Sequence, residues 1–277
     1  MTQFARPPPA IPNNIAILSY PYPNVLHVAL NRPKAYNAMN REFNNTLAAV
    51  FDWYENEPSL RVAILGSTNP KAWCAGADLK EWKDTNADNT PKPPANKVGF
   101  AGMSTRSTRK PVIGAIRGVA LGGGSELVMN LDINVAGQTA TFGFPEVKRG
   151  VSINAGGLPR FVRLVGHQKA AELILTGRNI PAKEALELRM INEVVPDANV
   201  ESRALEIAKI ISSNSPDSVM ALLYGIRLTA EAGSLQSASD LYDQSLQVRT
   251  LLAGDNIKEG LLAFQERREP RWLPSKL

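Results

Sequence analysis

An α/β fold, with a sheet layer followed by a part built of helices alone, is predicted by three observations. Compact β-prone runs, Arg61 to Gly66 (RVAILG) and Pro111 to Ile116 (PVIGAI), alternate with segments of helical period. From Val200 onward the pattern is helical throughout, with helices expected over 201–211, 216–231, 235–252 and 256–268. Between them, the stretch Pro111 to Gly157 runs through Gly118 into Gly122, Gly123 and Gly124. Ser125 and Glu126 then open an apolar helical segment, so the order is strand, tight turn, helix start. Glycines permit that path and let a ligand approach main-chain N–H groups, and the first turn of a helix leaves such groups free.

The other elements follow in chain order. A proline-rich lead (1–13) precedes β-prone runs at Ile15 to Ser19 and Val25 to Leu30, joined by a hairpin connection over 20–24. A polar turn, Asn31 to Asn40, leads into a helix whose apolar residues Phe43, Leu47, Val50, Phe51 and Tyr54 recur at helical spacing. Arg32 and Lys34 in that turn could meet a ligand phosphate, although a solvated turn is the plainer reading. Residues 67–76 are expected to be a loop, and Ala75-Gly76-Ala77-Asp78 a second close backbone approach at a helix start. The proline-broken segment 84–96 reads as an excursion and 97–109 as a helix returning to the strand at Pro111. Further helices are expected over 155–165 and 168–175 and at Ile180 to Ala185, with a short strand at Glu193 to Val195. The organisation expected is thus a lead (1–13), a core (14–199), a helical region (200–274) and a terminal tripeptide (275–277).

Composition narrows the chemistry. With 277 residues, 44% hydrophobic and 21% charged, the chain reads as a soluble globular protein. Its one cysteine, Cys74, excludes an intrachain disulfide and reads as a small buried hydrophobe. The two histidines, His27 and His167, exclude a site with several histidine ligands and argue against a Ser-His-Asp triad. Neither GxxxxGK[ST] nor GxGxxG is present. The net charge of +5 is scattered, which suits a phosphorylated small molecule and gives no stripe for nucleic acid. No uncharged run reaches the about 18 residues a membrane helix needs. Carboxylates and backbone donors remain; taken singly, Glu126 reads as a capping glutamate and Glu146 (in Phe142-Gly143-Phe144-Pro145-Glu146) as an exposed loop acid, but beside the backbone-donor loops the pair is a candidate for proton transfer as acid and base.

Three motifs, Gly76-Ala77-Asp78-Leu79-Lys80, Ala120-Leu121-Gly122-Gly123-Gly124-Ser125-Glu126, and Phe142 to Glu146 with Ala155-Gly156-Gly157, resemble the signatures of the enoyl-CoA hydratase/isomerase (crotonase) superfamily. The resemblance covers most of the chain. It implies a spiral of ββα units with a helical C-terminal part, assembled as homotrimers or dimers of trimers. It further implies an acyl-CoA substrate and neither metal nor redox cofactor. By position, the N–H groups of Ala77 and Gly123 would hold the thioester oxygen, Glu126 would act on water, and Glu146 would protonate the α-carbon. Ala77, Asp78, Leu79, Lys80, Gly122, Gly123 and Lys34 would bind substrate. The reaction implied is hydration of a 2-enoyl-CoA, with Δ3,Δ2-isomerisation and biosynthetic dehydration as alternatives within the fold. A non-catalytic RNA- or acyl-CoA-binding relative has only the basic pI of about 9.3 in its favour. One departure stands out: Ile153-Asn154 occupies the place where hydratases commonly have Pro-Gly, and a backbone N–H at Asn154 could still face the water. The tripeptide Ser275-Lys276-Leu277 reads as a peroxisomal address for an import receptor, as against a frayed polar tail.

Overall fold

The strongest apolar runs become parallel strands covered on both faces, as their near-continuous hydrophobicity requires. In the computed structural model, which describes residues 4–86 and 98–277, a six-stranded sheet has the order β1 (Ala16–Tyr22), β2 (Val25–Leu30), β3 (Val62–Ser67), β5 (Val112–Ile116), β7 (Ile133–Gly137) and β10 (Glu193–Val195). Within this sheet, among the described residues, the β1–β2 hairpin alone is antiparallel and the other pairs are parallel. A smaller sheet orders β4 (Ala72–Cys74), β6 (Val119–Leu121), β8 (Thr141–Gly143) and β9 (Ile180–Pro181). The pairs β3/β4, β5/β6 and β7/β8 each give their first strand to the large sheet and their second to the small one. That recurrence is the expected spiral.

Helices fill the returns: α1 (Arg41–Asn56), α2 (Leu79–Asn86), α3 (Gly123–Val128), α4 (Gly157–Val165), α5 (His167–Thr176) and α6 (Ala182–Glu187). One face of the large sheet packs in the main core with Phe43, Leu47, Phe51 and Tyr54 of α1. Its other face takes Val200, Ala204 and Ala208 of α7 (Val200–Ser213). Helices α8 (Pro216–Glu231), α9 (Leu235–Asp243), α10 (Leu246–Ala253) and α11 (Asp255–Glu266) complete the chain. Arg227 anchors α8 by donating to Asp132 Oδ1 at 2.6 Å, with that carboxylate also accepting from the Val112 N–H.

Several expectations need correction. Residues 98–109 do not form an α-helix: Gly99, Ala101 and Gly102 take positive φ, and only a single 3₁₀ turn, Phe100–Gly102, forms. A side chain on Gly102 would overlap the backbone of Ala48 at 2.4 Å, so this coil is pressed onto α1. The expected loop 67–76 contains β4. The helix expected over 235–252 is broken, because Ser245 accepts from the Val248 N–H and starts a new helix there. Strand β1 runs on to Tyr22, leaving a two-residue turn with Asn24 at φ 64°. The opening residues of the expected excursion extend α2 to Asn86; the rest of it lies outside the described residues.

The described segments near both ends are tied down. Trp53 Nε1 donates to the Arg6 carbonyl, Trp272 Nε1 to that of Ser213, and Lys276 Nζ to Asp255. Ser275 bonds Asp217, so the terminal tripeptide lies on the protein surface and is not frayed.

Candidate active site

Strand β5 leaves the large sheet at Ile116 and Gly118 turns the chain into β6 of the small sheet, at whose end Gly122 to Gly124 open α3. Each glycine of that triplet has its own reason. Gly122 takes φ 56°, ψ −124°, a conformation that resists a Cβ, and a Cβ there would stand 3.1 Å from Glu146 Oε1. At Gly123 it would meet the Phe100 ring at 2.8 Å, and at Gly124 the Cys74 carbonyl at 2.4 Å. Ser125, fully buried, locks the turn: its hydroxyl donates to the Ala120 carbonyl at 2.7 Å and accepts from the Gly143 N–H at 3.0 Å.

A second loop meets this turn. Ala77 forms an isolated parallel bridge with Met39, made by the Met39 N–H to the Gly76 carbonyl and the Asp78 N–H to the Met39 carbonyl. In such a bridge the N–H of Ala77 itself points away from Met39. A Cβ on Gly76 would lie 3.4 Å from the Gly123 nitrogen, so the loops of Ala77 and Gly123 are in contact. The Gly123 N–H, at the first position of α3, has no acceptor within its own helix. Among the described residues neither N–H gives a backbone hydrogen bond, and the two loops that carry them touch.

The carboxylates sit around the same turn. Glu126, in the first turn of α3 and 3% exposed, has one oxygen fixed: Oε2 accepts from the N–H groups of Ala155 at 2.7 Å and Gly157 at 2.9 Å. Among the described residues its Oε1 accepts nothing. Burial raises its pKa above the ordinary value, against the lowering pull of the two N–H bonds. Glu146 lies in the 3₁₀ turn Pro145–Arg149, not in an irregular loop. Its Oε2 is buried and has no hydrogen-bond partner among the described residues. Burial raises its pKa too, and the charge of Glu126 adds to the rise. Two acids that feel each other beside paired N–H donors can move protons at adjacent atoms of one polarised substrate.

The remaining predicted residues fall at the edge. Asp78 pairs with Arg32 at 2.6 Å and accepts from the Lys80 N–H; burial works to raise its pKa, but these bonds win and lower it. Arg32 is therefore committed to Asp78, while Lys34, Leu79 and Lys80 are exposed. Cys74 is fully buried with its thiol pushed up to about 12 by burial, in keeping with a packing role. A cavity of about 250 Å³ lined by Arg61, Arg109, Lys110 and Leu277 contains neither carboxylate, so convergent chemistry and not volume marks the site. Sequence reasoning missed Asn37. It is wholly buried at φ 54°, and its amide donates to the carbonyls of Ala72 and Trp73, holding the polar turn against β4. An Asn in a tight turn was the available signal.

Two touching glycine loops beside two neighbouring buried acids, set on a ββα spiral, form an arrangement suited to acid/base chemistry on a carbonyl compound. The sequence model of the enoyl-CoA hydratase/isomerase family matches residues 21–274, and the chain belongs to that family. It is 42% identical to a mevalonyl-coenzyme A hydratase of Aspergillus fumigatus, over 94% of this chain and 96% of that one. A protein of the same description from Beauveria bassiana is 42% identical over 99% of both chains. Among solved structures, an enoyl-CoA hydratase from Mycobacterium tuberculosis superposes with a TM-score of 0.85 at 32% identity, covering 95% of this chain and all of that one.

Proposed function

We propose that the protein is an acyl-CoA hydratase, working in either direction, and that mevalonyl-CoA is its substrate on the hydrated side. The Ala77 and Gly123 N–H groups hold the thioester oxygen as charge gathers there, a donor of this kind being worth roughly 2.7 to 4 kcal/mol. In hydration, Glu126 Oε1 takes a proton from water, which attacks the β-carbon, and Glu146 delivers a proton to the α-carbon. In dehydration the same steps reverse: Glu146 removes the α-proton and Glu126 protonates the departing hydroxyl. Neither direction calls for a metal or redox cofactor. The single observation behind this reading is the asymmetry at Glu126, with Oε2 gripped by two amides and Oε1 accepting no hydrogen bond among the described residues.

Likeness to two mevalonyl-coenzyme A hydratases supports the choice of acyl group. The test is turnover of mevalonyl-CoA beside crotonyl-CoA and a 3-enoyl-CoA, with products followed by mass. Preference for mevalonyl-CoA, losing one water, is expected. Conversion of the 3-enoyl thioester at unchanged mass, without hydration, would replace this reading with isomerisation.

Assembly as a trimer or pair of trimers belongs to the same proposal. Ile226, Leu246 and Phe264 of the C-terminal helices are 67%, 67% and 85% exposed, an apolar face suited to a second copy, and sedimentation would read the stoichiometry. Peroxisomal delivery through Ser275-Lys276-Leu277 is proposed as well, and loss of punctate localisation on removing Leu277 from a tagged protein is its test.

A further inference from the structure

Arg160, on α4, is a cation whose charge is spent on the main chain. Its Nη1 donates to the Ser104 carbonyl at 2.9 Å and to the Gly156 carbonyl at 3.1 Å, and among the described residues no carboxylate pairs with it. Burial lowers its pKa, Arg227 on α8 lowers it further, and Glu231 on α8 opposes them. Ser104, completely buried, accepts from the Phe100 N–H at 2.8 Å and donates through Oγ to the Ala155 carbonyl at 2.7 Å.

These carbonyls belong to the loop that grips Glu126. The Gly156 carbonyl and the Gly157 N–H are opposite ends of one planar trans peptide, so a guanidinium pulling on the oxygen aims the N–H the other way, at Glu126 Oε2. The Ala155 carbonyl belongs to the peptide between the two donor residues. We propose that Arg160 and Ser104 are positioning residues for Glu126: together they fix the 155–157 peptides so that both N–H groups converge on Oε2 and leave Oε1 presented to water. A charged partner on the Gly156 carbonyl also polarises that peptide and strengthens its N–H as a donor. The inference rests on Glu126 being the base of the proposed reaction.

The charged groups around this arrangement are Glu146, which faces Glu126 from the 145–149 turn, and Arg227 and Glu231, which face Arg160 from α8. Loosening the Gly157 N–H weakens a bond that favours the carboxylate anion, so the pKa of Glu126 rises and the acid limb of kcat/KM moves to higher pH.

Arg160→Met and Ser104→Ala are the test variants, with Arg160→Lys as the conservative one. Each is assayed as the full chain for the pH dependence of kcat/KM, for KM, and for the carboxyl ¹³C titration of Glu126, assigned by difference against Glu126→Gln. In Arg160→Met an acid limb raised by about one unit, with KM changed less than about threefold, is expected. Added guanidinium should return the limb toward the wild-type position. A lowered melting temperature with both the limb and the ¹³C titration unmoved would overturn the proposal and leave Arg160 a packing residue. Should Arg160→Met not fold, the same readouts on Ser104→Ala and Arg160→Lys decide. If Glu126→Gln hydrates like wild type, the base assignment fails instead, and the ¹³C titration still reports whether Arg160 and Ser104 govern that carboxylate.

Discussion

The two sides of the Gly122–Gly124 turn each supply one acid, yet they hold it by opposite means. On the α3 side, Glu126 is 3% exposed and fixed by the Ala155 and Gly157 N–H groups, which in turn are braced through Ser104 and Arg160. On the 143–149 side, Glu146 has its buried Oε2 without a hydrogen-bond partner among the described residues and its Oε1 against Gly122, where the absent Cβ leaves it room. Burial raises the pKa of both acids; at Glu126 two amide bonds pull against the rise, whereas at Glu146 the Glu126 charge adds to it. In the hydration direction proposed above, this difference between the two walls suits Glu126 to accept a proton and Glu146 to give one.

The comparison is broken most severely by removing either acid. Glu126→Gln and Glu146→Gln are each expected to lower kcat for hydration by roughly 10²- to 10⁴-fold with native circular dichroism. The double variant should cost far less than the product of the two, since the groups act as a unit. The walls separate in α-proton exchange with deuterated solvent, which should persist in Glu126→Gln and vanish in Glu146→Gln. Next in size is Gly124→Ala, whose Cβ would stand 2.4 Å from the Cys74 carbonyl and drive α3 away from β4. Overpacking of this kind costs about 1–3 kcal/mol, to be read from denaturant midpoints together with lost turnover. Gly122→Ala strains φ and presses on Glu146 alone, so its damage should fall on proton exchange more than on stability.

How far these walls were legible in the sequence divides along a physical line. The glycine triplet and the alternation of strand and helix could be read directly, because tight turns and apolar period leave local marks, whereas Glu126 and Glu146 are singled out by the family motifs around them. Residues 98–109 could not. Their composition allows a helix, and only the contact of Gly102 with Ala48 and of Ser104 with Ala155 decides for a coil. The same coil supplies Phe100 over Gly123 and the brace on the Glu126 loop, so the missed element is the one whose function depends on contacts distant in sequence. Strands β4, β6 and β8 are three residues long, too short for periodicity to register, although they carry the loops that aim the backbone donors.

A finer test concerns pH and stability. The Glu146 pKa is raised in the folded protein, by burial first and by the Glu126 charge second. Between the unfolded value near 4.5 and the higher folded value, the native state holds a proton that the unfolded chain has released. Stability contributed by this group therefore falls as pH rises through that window, and above it the folded protein carries the full cost of a buried charge. Glu146→Gln removes the titration. It should raise the melting temperature at pH 8, by about 2–4 °C at most, and leave it unchanged at pH 4. A gain of equal size at both values would assign the effect to packing instead.

The smallest effect lies outside both walls. Arg32 is already paired with Asp78, while Lys34 and Lys80 beside it are exposed, and in the proposed function these two lysines meet the charge of a coenzyme A thioester. An exposed ion pair is worth about 0.2–1 kcal/mol and is screened by salt. Lys34→Ala should accordingly raise KM by roughly 1.5- to 5-fold with kcat unchanged, and the difference from wild type should shrink in high salt. A fall in kcat would instead place Lys34 among the groups that sense the transition state, joining the rim to the chemistry that the two walls otherwise keep to themselves.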